Sequence, residues 1–220
     1  KEGIAFSKIA KKHVNFSTGS EFNYLEDYLT PKSLLVAISQ SGETIDVTGP
    51  VENAKKKGAK IAAVVNVLGS TLYRQADYKL LLGAGVEKAV IGTKSFVAMV
   101  AVLLLTAYAL AKKQEVGKKI LRNTAKDVKR ILQDKFIKDI EKLAEELSGR
   151  EHIYLIGRGL SYATALEATL KIKETSYIHA EGFAGGELKH GVIALIEKRT
   201  ACIVFAPNDE TYSDIISNAQ

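Results

Sequence analysis

The sequence predicts an α/β fold laid out as two weakly similar domains in tandem, and three observations carry that expectation. Short β-branched runs alternate with longer stretches of helical periodicity, the pattern of parallel strands joined by helices. An offset of 166 residues brings two parts of the chain into register. With 46% apolar residues and only three prolines in 220, the chain has the material for a proper core and none of the marks of a disordered or collagen-like polymer.

Taken in order, a helix is expected over about 2–12, a strand at Leu34–Ile38 and a helix over about 42–57. Strands at about 60–65 and 79–82 follow, then a long helix over 94–112. Two amphipathic helices fill 115–150. Along them Ile120, Leu121, Val128, Ile131 and Leu132, then Phe136, Ile137, Ile140, Leu143 and Leu147, recur at helical spacing. A strand at His152–Gly157, a helix over about 161–177 and a strand near Thr200–Phe205 complete the reading. The domains are therefore expected at 1–114 and 151–220, with 115–150 connecting them.

The repeat lays His13–Phe22 over His179–Leu188, so that His13 meets His179, Gly19 meets Gly185 and Glu21 meets Glu187. It also lays the apolar run Leu34–Ser39 over Thr200–Phe205. In the second copy a strand and a helix precede the matching region, whereas in the first only the helix does. The first copy's leading strand is expected before residue 1, and the second copy stops inside its next helix. Both domains are thus expected to be incomplete, because a parallel sheet with missing strands exposes apolar faces.

The formal charge of +6 is located rather than spread. Residues 112–150 hold twelve Lys and Arg against seven Asp and Glu, so +5 of it lies on the two amphipathic helices. The one aromatic residue among these lysines, Phe136, belongs to the apolar stripe, so there is no series of base-stacking platforms, and a solvated helical face is expected, not a nucleic-acid surface. The uncharged run 95–111 is too short and too rich in small and hydroxyl residues for a membrane span, and is expected to be a core helix buried all round. Cys202 is the only cysteine, which excludes an internal disulfide and favours a reducing, cytoplasmic setting. It is expected to be a small core residue. His13 and His152 are read as structural residues without partners. No set of metal ligands is visible, since Glu187-x-x-His190 occurs once and His179-x-Glu181 lacks the cysteine pair of zinc deaminases.

The densest chemical signal follows the strand at Leu34–Ile38: Ser39-Gln40-Ser41-Gly42-Glu43-Thr44, then a helix. A polar, glycine-containing turn between a strand and a helix N-terminus aims backbone N–H groups and the positive dipole end at an anion. Three hydroxyls and an amide add neutral donors that can surround a phosphate. An ordinary serine cap with Glu43 in the first helical turn would read the same way. The repeat sets Pro207-Asn208-Asp209-Glu210 opposite Ser41–Thr44, and two carboxylates there repel an anion, so one phosphate per chain is expected. Gly157-Arg158-Gly159 lacks the third glycine of a dinucleotide fingerprint, Tyr162 standing in its place.

Glu167, Lys171 and Glu174 are spaced to share one face of a helix. Their spacing alone fits surface ion pairs. Their helix follows the Gly157–Gly159 turn, which is where ligands approach strand ends in α/β sheets.

Ser39-Gln-Ser-Gly-Glu-Thr44 resembles the phosphate loop of sugar isomerase (SIS) domains. Residues 157–191, from Gly-Arg-Gly-Leu-Ser-Tyr to Gly-Glu-Leu-Lys-His-Gly, are similar to the isomerase half of glucosamine-6-phosphate synthases. The resemblance implies tandem SIS domains, each a parallel sheet flanked by helices in a three-layer αβα arrangement. It implies conversion of fructose 6-phosphate and ammonia to glucosamine 6-phosphate, with no cofactor, the ammonia coming from glutamine in a separate glutaminase domain. Glu174 then matches the base that moves a proton between C1 and C2, and Lys171 and Glu167 match residues lining the sugar site. His190 matches a ring-opening histidine supplied by the neighbouring subunit of a homodimer. Ser39, Gln40, Ser41 and Thr44 match phosphate ligands, and Val90 and Gly92 match the sugar-contacting loop. The sequence departs from the family at Gly92, where a serine is usual. An SIS-type glucosamine-6-phosphate deaminase and a non-catalytic sugar-phosphate sensor are the alternative readings.

Overall fold

The structure, a computed structural model, describes residues 2–220, apart from the side chain of Glu2. The chain forms two compact units, residues 2–121 and 122–220.

In the first unit a parallel sheet runs in the order β1 (Leu34–Ser39), β2 (Lys60–Val65), β3 (Tyr78–Leu81). Leu34 lies opposite Lys60 and Ser39 opposite Val65, while Ala62 lies opposite Tyr78. β2 is central. After Lys60 it reads Ile-Ala-Ala-Val-Val, all buried, as a strand covered on both faces must. Ile61, Ala63 and Val65 pack with Val51 and Ala54 of α3 (Ile45–Lys56) and Leu72 of α4 (Thr71–Gln75). Val64 packs the other way, with Leu80, Leu82 and, from α5 (Thr93–Leu110), Met99, Val102 and Leu103. Burial of Ile61, Val64 and Val65 contributes about 1.5–3 kcal/mol each. Helices thus lie on both faces of the sheet, in three layers.

Three expectations for this unit are corrected. The long helix is not buried all round: Ser95, Leu103 and Ala107 are its buried residues, and Val97 and Leu110 are more than half exposed. By length and composition α5 could cross a membrane, but here its Met99–Leu103 side seats on Val64 and Leu82 as the sheet's outer layer. The opening helix is shorter than expected, α1 (Glu2–Ala5) passing into a π-helical turn at Phe6–Ala10 that ends on left-handed Lys11. His13 is exposed and has a partner, its Nε2 lying 3.0 Å from Asn15 Oδ1.

Both amphipathic helices form. α6 (Gln114–Ile131) crosses the division between the units and α7 (Asp134–Ser148) follows. Their apolar residues, among them Val128, Ile131, Phe136 and Ile140, remain about half exposed.

In the second unit β4 (His152–Gly157) lies between β5 (His179–Ala184) and β6 (Ala201–Phe205), all parallel. One face carries Ile153, Leu155 and Ala180, packed against Ala165, Ala168 and Ile172 of α8 (Leu160–Ser176). Toward the C-terminal ends of the strands, the other face packs Ile156 and Phe183 against Leu188 and Ile215, the latter from α9 (Tyr212–Ala219). Cys202 sits on that second face nearer the strand starts and is exposed rather than a core residue. His152 is not alone either: its Nδ1 lies 3.1 Å from that of His179, the facing residue of β5.

The repeat has a physical meaning at two glycines. Gly19 opens the short helix α2 (Gly19–Phe22), and a Cβ there would lie 2.7 Å from the carbonyl oxygen of Asp46 in α3. Gly185 opens the 3₁₀ turn Gly185–Lys189, and a Cβ there would lie 2.6 Å from Ile215 Cδ1 in α9. In each unit the chain crosses a helix too closely for a side chain. Where the second unit has β5, residues 13–18 of the first form no strand. β5 is held by β4, and the described residues of the first unit contain no counterpart of β4.

Candidate functional site

The loop between β1 and α3 is built by its own hydroxyls. Ser39, buried at the end of β1, lies 2.9 Å from the Thr44 hydroxyl and accepts the Gly42 backbone N–H at 3.0 Å. Ser41 accepts the Glu43 N–H at 3.2 Å. Thr44 is the cap residue of α3, and its carbonyl accepts the N–H groups of Val47 and Thr48. Its side chain makes no capping bond to the helix, so the plain serine-cap reading fails here. Ser39, Gln40, Ser41 and Thr44 therefore stand together at a strand end before a twelve-residue helix, with dipole and hydroxyls converging. α3 begins at Ile45, three residues later than the sequence suggested, because Ser41–Thr44 are spent on this turn.

A second layer grips the loop from the chain that follows β2, and sequence reasoning missed it. Asn66 donates its backbone N–H to Gln40 at 3.1 Å, and Leu72 donates to the Gly42 carbonyl at 3.0 Å. Thr71 donates its N–H to the Glu43 carboxylate at 2.7 Å. Hydrogen bonds from the Thr71 side chain and backbone, helped by Arg74, hold Glu43 below the usual carboxylate range. The charge of Glu43 is thereby turned away into α4, which keeps a carboxylate in the loop compatible with an anion beside it. Gly42, at φ +70°, abuts buried Ser70, whose hydroxyl has no hydrogen-bond partner.

Asn66 also organises the loop after β3. Its side chain donates to the Gly85 carbonyl at 2.7 Å and accepts the Ala84 N–H at 3.1 Å. Val90 is fully exposed in that loop, and Gly92 adopts a left-handed φ of +58° as the cap of α5. A clasp closes around them: Glu87 accepts the Ser95 N–H at 2.9 Å and its hydroxyl at 2.8 Å. These two bonds depress the Glu87 pKa. An Asn immediately after a buried strand, at the end where α/β ligands bind, is the one signal that could have flagged this residue.

In the second unit the structure brings Glu167, Lys171 and Glu174 together on α8. Lys171 Nζ lies 2.8 Å from Glu174 Oε2 and 3.4 Å from Glu167 Oε1, the Lys171 and Glu167 side chains about three-quarters buried and that of Glu174 about two-thirds. Desolvation lowers the lysine pKa, but the Glu174 hydrogen bond and both carboxylates outweigh it, and the net shift is upward. This triad is half enclosed, unlike a surface pair. It is not at the Gly157–Gly159 turn, however. Glu174 lies fourteen residues after Leu160, about 21 Å along the helix, because a seventeen-residue α8 carries it to the far end. The turn itself is occupied by Arg158, which bonds Asn218 at 2.9 Å and Asp214 at 3.0 Å.

His190 is exposed and caps the Gly185–Lys189 turn, its N–H donating to Glu187. It follows the C-terminal end of β5, whereas Glu174 precedes the N-terminal end of that strand, whose six residues span about 17 Å. Within one unit the two do not meet. In the Pro207–Glu210 loop, Asp209 accepts the N–H and hydroxyl of Thr211, so its carboxylate serves the local turn. Among the described residues no group of three or more His, Cys, Asp or Glu side chains is placed to hold a metal ion.

The fold and this loop define the class: the SIS domain family matches residues 3–109 and 146–220, and the chain belongs to it. The similarity is closer to one kind of enzyme. The chain is 41% identical over 218 residues to the glutamine–fructose-6-phosphate aminotransferase (isomerizing) of Clostridium tetani, covering 96% of this chain and 36% of the relative. It is 39% identical over 229 residues to that of Thermococcus kodakarensis, covering 98% and 37%. The C-terminal domain of glucosamine–fructose-6-phosphate aminotransferase from Francisella tularensis superposes with a TM-score of 0.89 at 34% identity, over 100% of this chain and 64% of that one. The chain thus spans just over a third of its full-length relatives. A glucosamine-6-phosphate deaminase from Thermotoga maritima shares the fold, with a TM-score of 0.79 at 21% identity over 98% of this chain and 66% of that one.

Proposed function

We propose that this chain is the isomerase part of an enzyme that makes glucosamine 6-phosphate from fructose 6-phosphate and ammonia released from glutamine. The observation that carries the reading is the Ser39–Thr44 loop, where hydroxyls and a helix N-terminus meet with the only carboxylate turned aside. Ser39, Gln40, Ser41 and Thr44 hold the phosphate, and the clasped Val90–Gly92 loop borders the sugar. Glu174 moves the proton between C1 and C2, a task suited to a carboxylate in partly enclosed surroundings. Lys171 and Glu167 fix its position through the ion triad. His190 opens the sugar ring and, lying at the other end of β5 from Glu174, serves a neighbouring copy in a homodimer. A glutaminase domain supplies ammonia in the full protein, and a cytoplasmic setting agrees with the single free cysteine.

The test is calorimetry of Thr44→Val in the full-length protein. Losing one hydrogen bond to a charged group should weaken fructose 6-phosphate by about 1.5–3 kcal/mol and leave fructose nearly unchanged. Equal losses for both ligands would remove the phosphate assignment.

A further inference from the structure

His152 and His179 are 27 residues apart in sequence, and nothing in their separate surroundings marks either as a ligand. The parallel register brings them together. They are the first rung of the β4–β5 pair, followed by Ile153 opposite Ala180. Their Nδ1 atoms are 3.1 Å apart, their rings stand edge to face at 88° with centroids 5.0 Å apart, and both residues are exposed. Two neutral imidazoles at this distance share one proton, one Nδ1 donating and the other accepting. A metal ion can take the place of that proton. Two nitrogens bound at 2.0–2.1 Å with tetrahedral geometry are about 3.4 Å apart, so the nitrogens need part only by a few tenths of an ångström, with each exposed ring tilting to aim its lone pair at the ion. Register and alternation put Glu181 on the same face of β5 as His179, with Tyr154 opposite it on β4.

We propose that His152 and His179 form a two-histidine site for a divalent transition-metal ion of the zinc and copper class, with water completing the coordination. Imidazole pairs favour these ions, and oxygen-preferring magnesium and calcium are excluded by the donor set. A bound ion ties the start of edge strand β5 to central strand β4, so it stabilises the second unit.

The experiment is titration of the untagged protein with ZnCl₂ and with CuCl₂, followed calorimetrically and by thermal melting. One ion per chain should bind at this site, copper more tightly than zinc, and the melting temperature should climb with metal concentration. His152→Ala and His179→Ala should each weaken that binding at least tenfold and abolish the climb, while His13→Ala changes neither. If an alanine variant melts below the assay temperature, His152→Gln and His179→Gln serve instead. The copper complex should show the electron paramagnetic resonance pattern of two nitrogen ligands. Absence of saturable binding, or binding that survives both substitutions, would overturn the site and leave a histidine–histidine hydrogen bond.

Discussion

Gly42 sits at the tightest corner of the Ser39–Thr44 loop, and two independent constraints meet there. Its φ of +70° lies in the left-handed region, and an added Cβ would come within 2.1 Å of the Ser70 hydroxyl. Ser70 is buried and cannot swing into solvent. Gly42→Ala should therefore cost about 2 kcal/mol or more, since both backbone strain and overpacking oppose it. Urea denaturation would read this as a lower midpoint with an unchanged slope. Adding Ser70→Gly should recover the overpacking share and not the strain, whereas no recovery would mean that the loop's backbone alone sets the cost. The same corner explains why the loop carries a glutamate. The Glu43 carboxylate is spent on Thr71, which turns its charge toward α4.

At the scale of elements, carboxylates are the pins that hold loops to the sheet. Glu43 takes hydrogen bonds from Thr71, Glu87 from Ser95, and Asp77 from the Ile61 N–H at 2.8 Å and Lys60 at 3.1 Å. These hydrogen bonds hold all three carboxyls below the usual carboxylate range. A depressed folded-state pKa gives stability that is present above the unfolded pKa and lost as pH falls through the folded one. The melting temperature of this unit should hold from neutral pH to about 5 and then decline progressively below 4.5, with Glu43→Gln, Asp77→Asn and Glu87→Gln each flattening the decline. An unchanged acid limb in all three variants would contradict the role. Sequence made the main elements legible: β2 and β4 fall on the expected residues because buried parallel strands are unbroken apolar runs. β5 was invisible, since His-Ala-Glu-Gly-Phe-Ala has little β-propensity and is held by its register with β4. The five-residue α4 was invisible as well, being stabilised by Gly42, Glu43 and Ser70 rather than by its own periodicity. Of the candidate site, residue types were readable and the Asn66 link was not, because it joins two loops only after the strands align.

For the whole molecule, the separation of Glu174 and His190 by the length of β5 makes a clear demand. In the full-length enzyme Glu174→Gln should lower kcat about 10²–10⁴-fold with little change in KM, as expected for a general base. If the proposed homodimer shares its sites in this way, mixing Glu174→Gln and His190→Ala subunits should restore part of the activity, because some mixed dimers would carry one site with both groups intact. Continued inactivity after proven subunit exchange would place His190 within its own chain's chemistry or outside it. The free flank of β1 has its own consequence. Among the described residues no strand lies on the side of β1 away from β2, and Leu34, Val36 and Ile38 on that strand are each at least a third exposed. Leu-Leu-Val-Ala-Ile-Ser has no charge, proline or glycine to discourage pairing with its own kind. A peptide of residues Leu34–Ser39 should therefore be prone to fibrous or amorphous association as concentration rises, and Val36→Lys should suppress it.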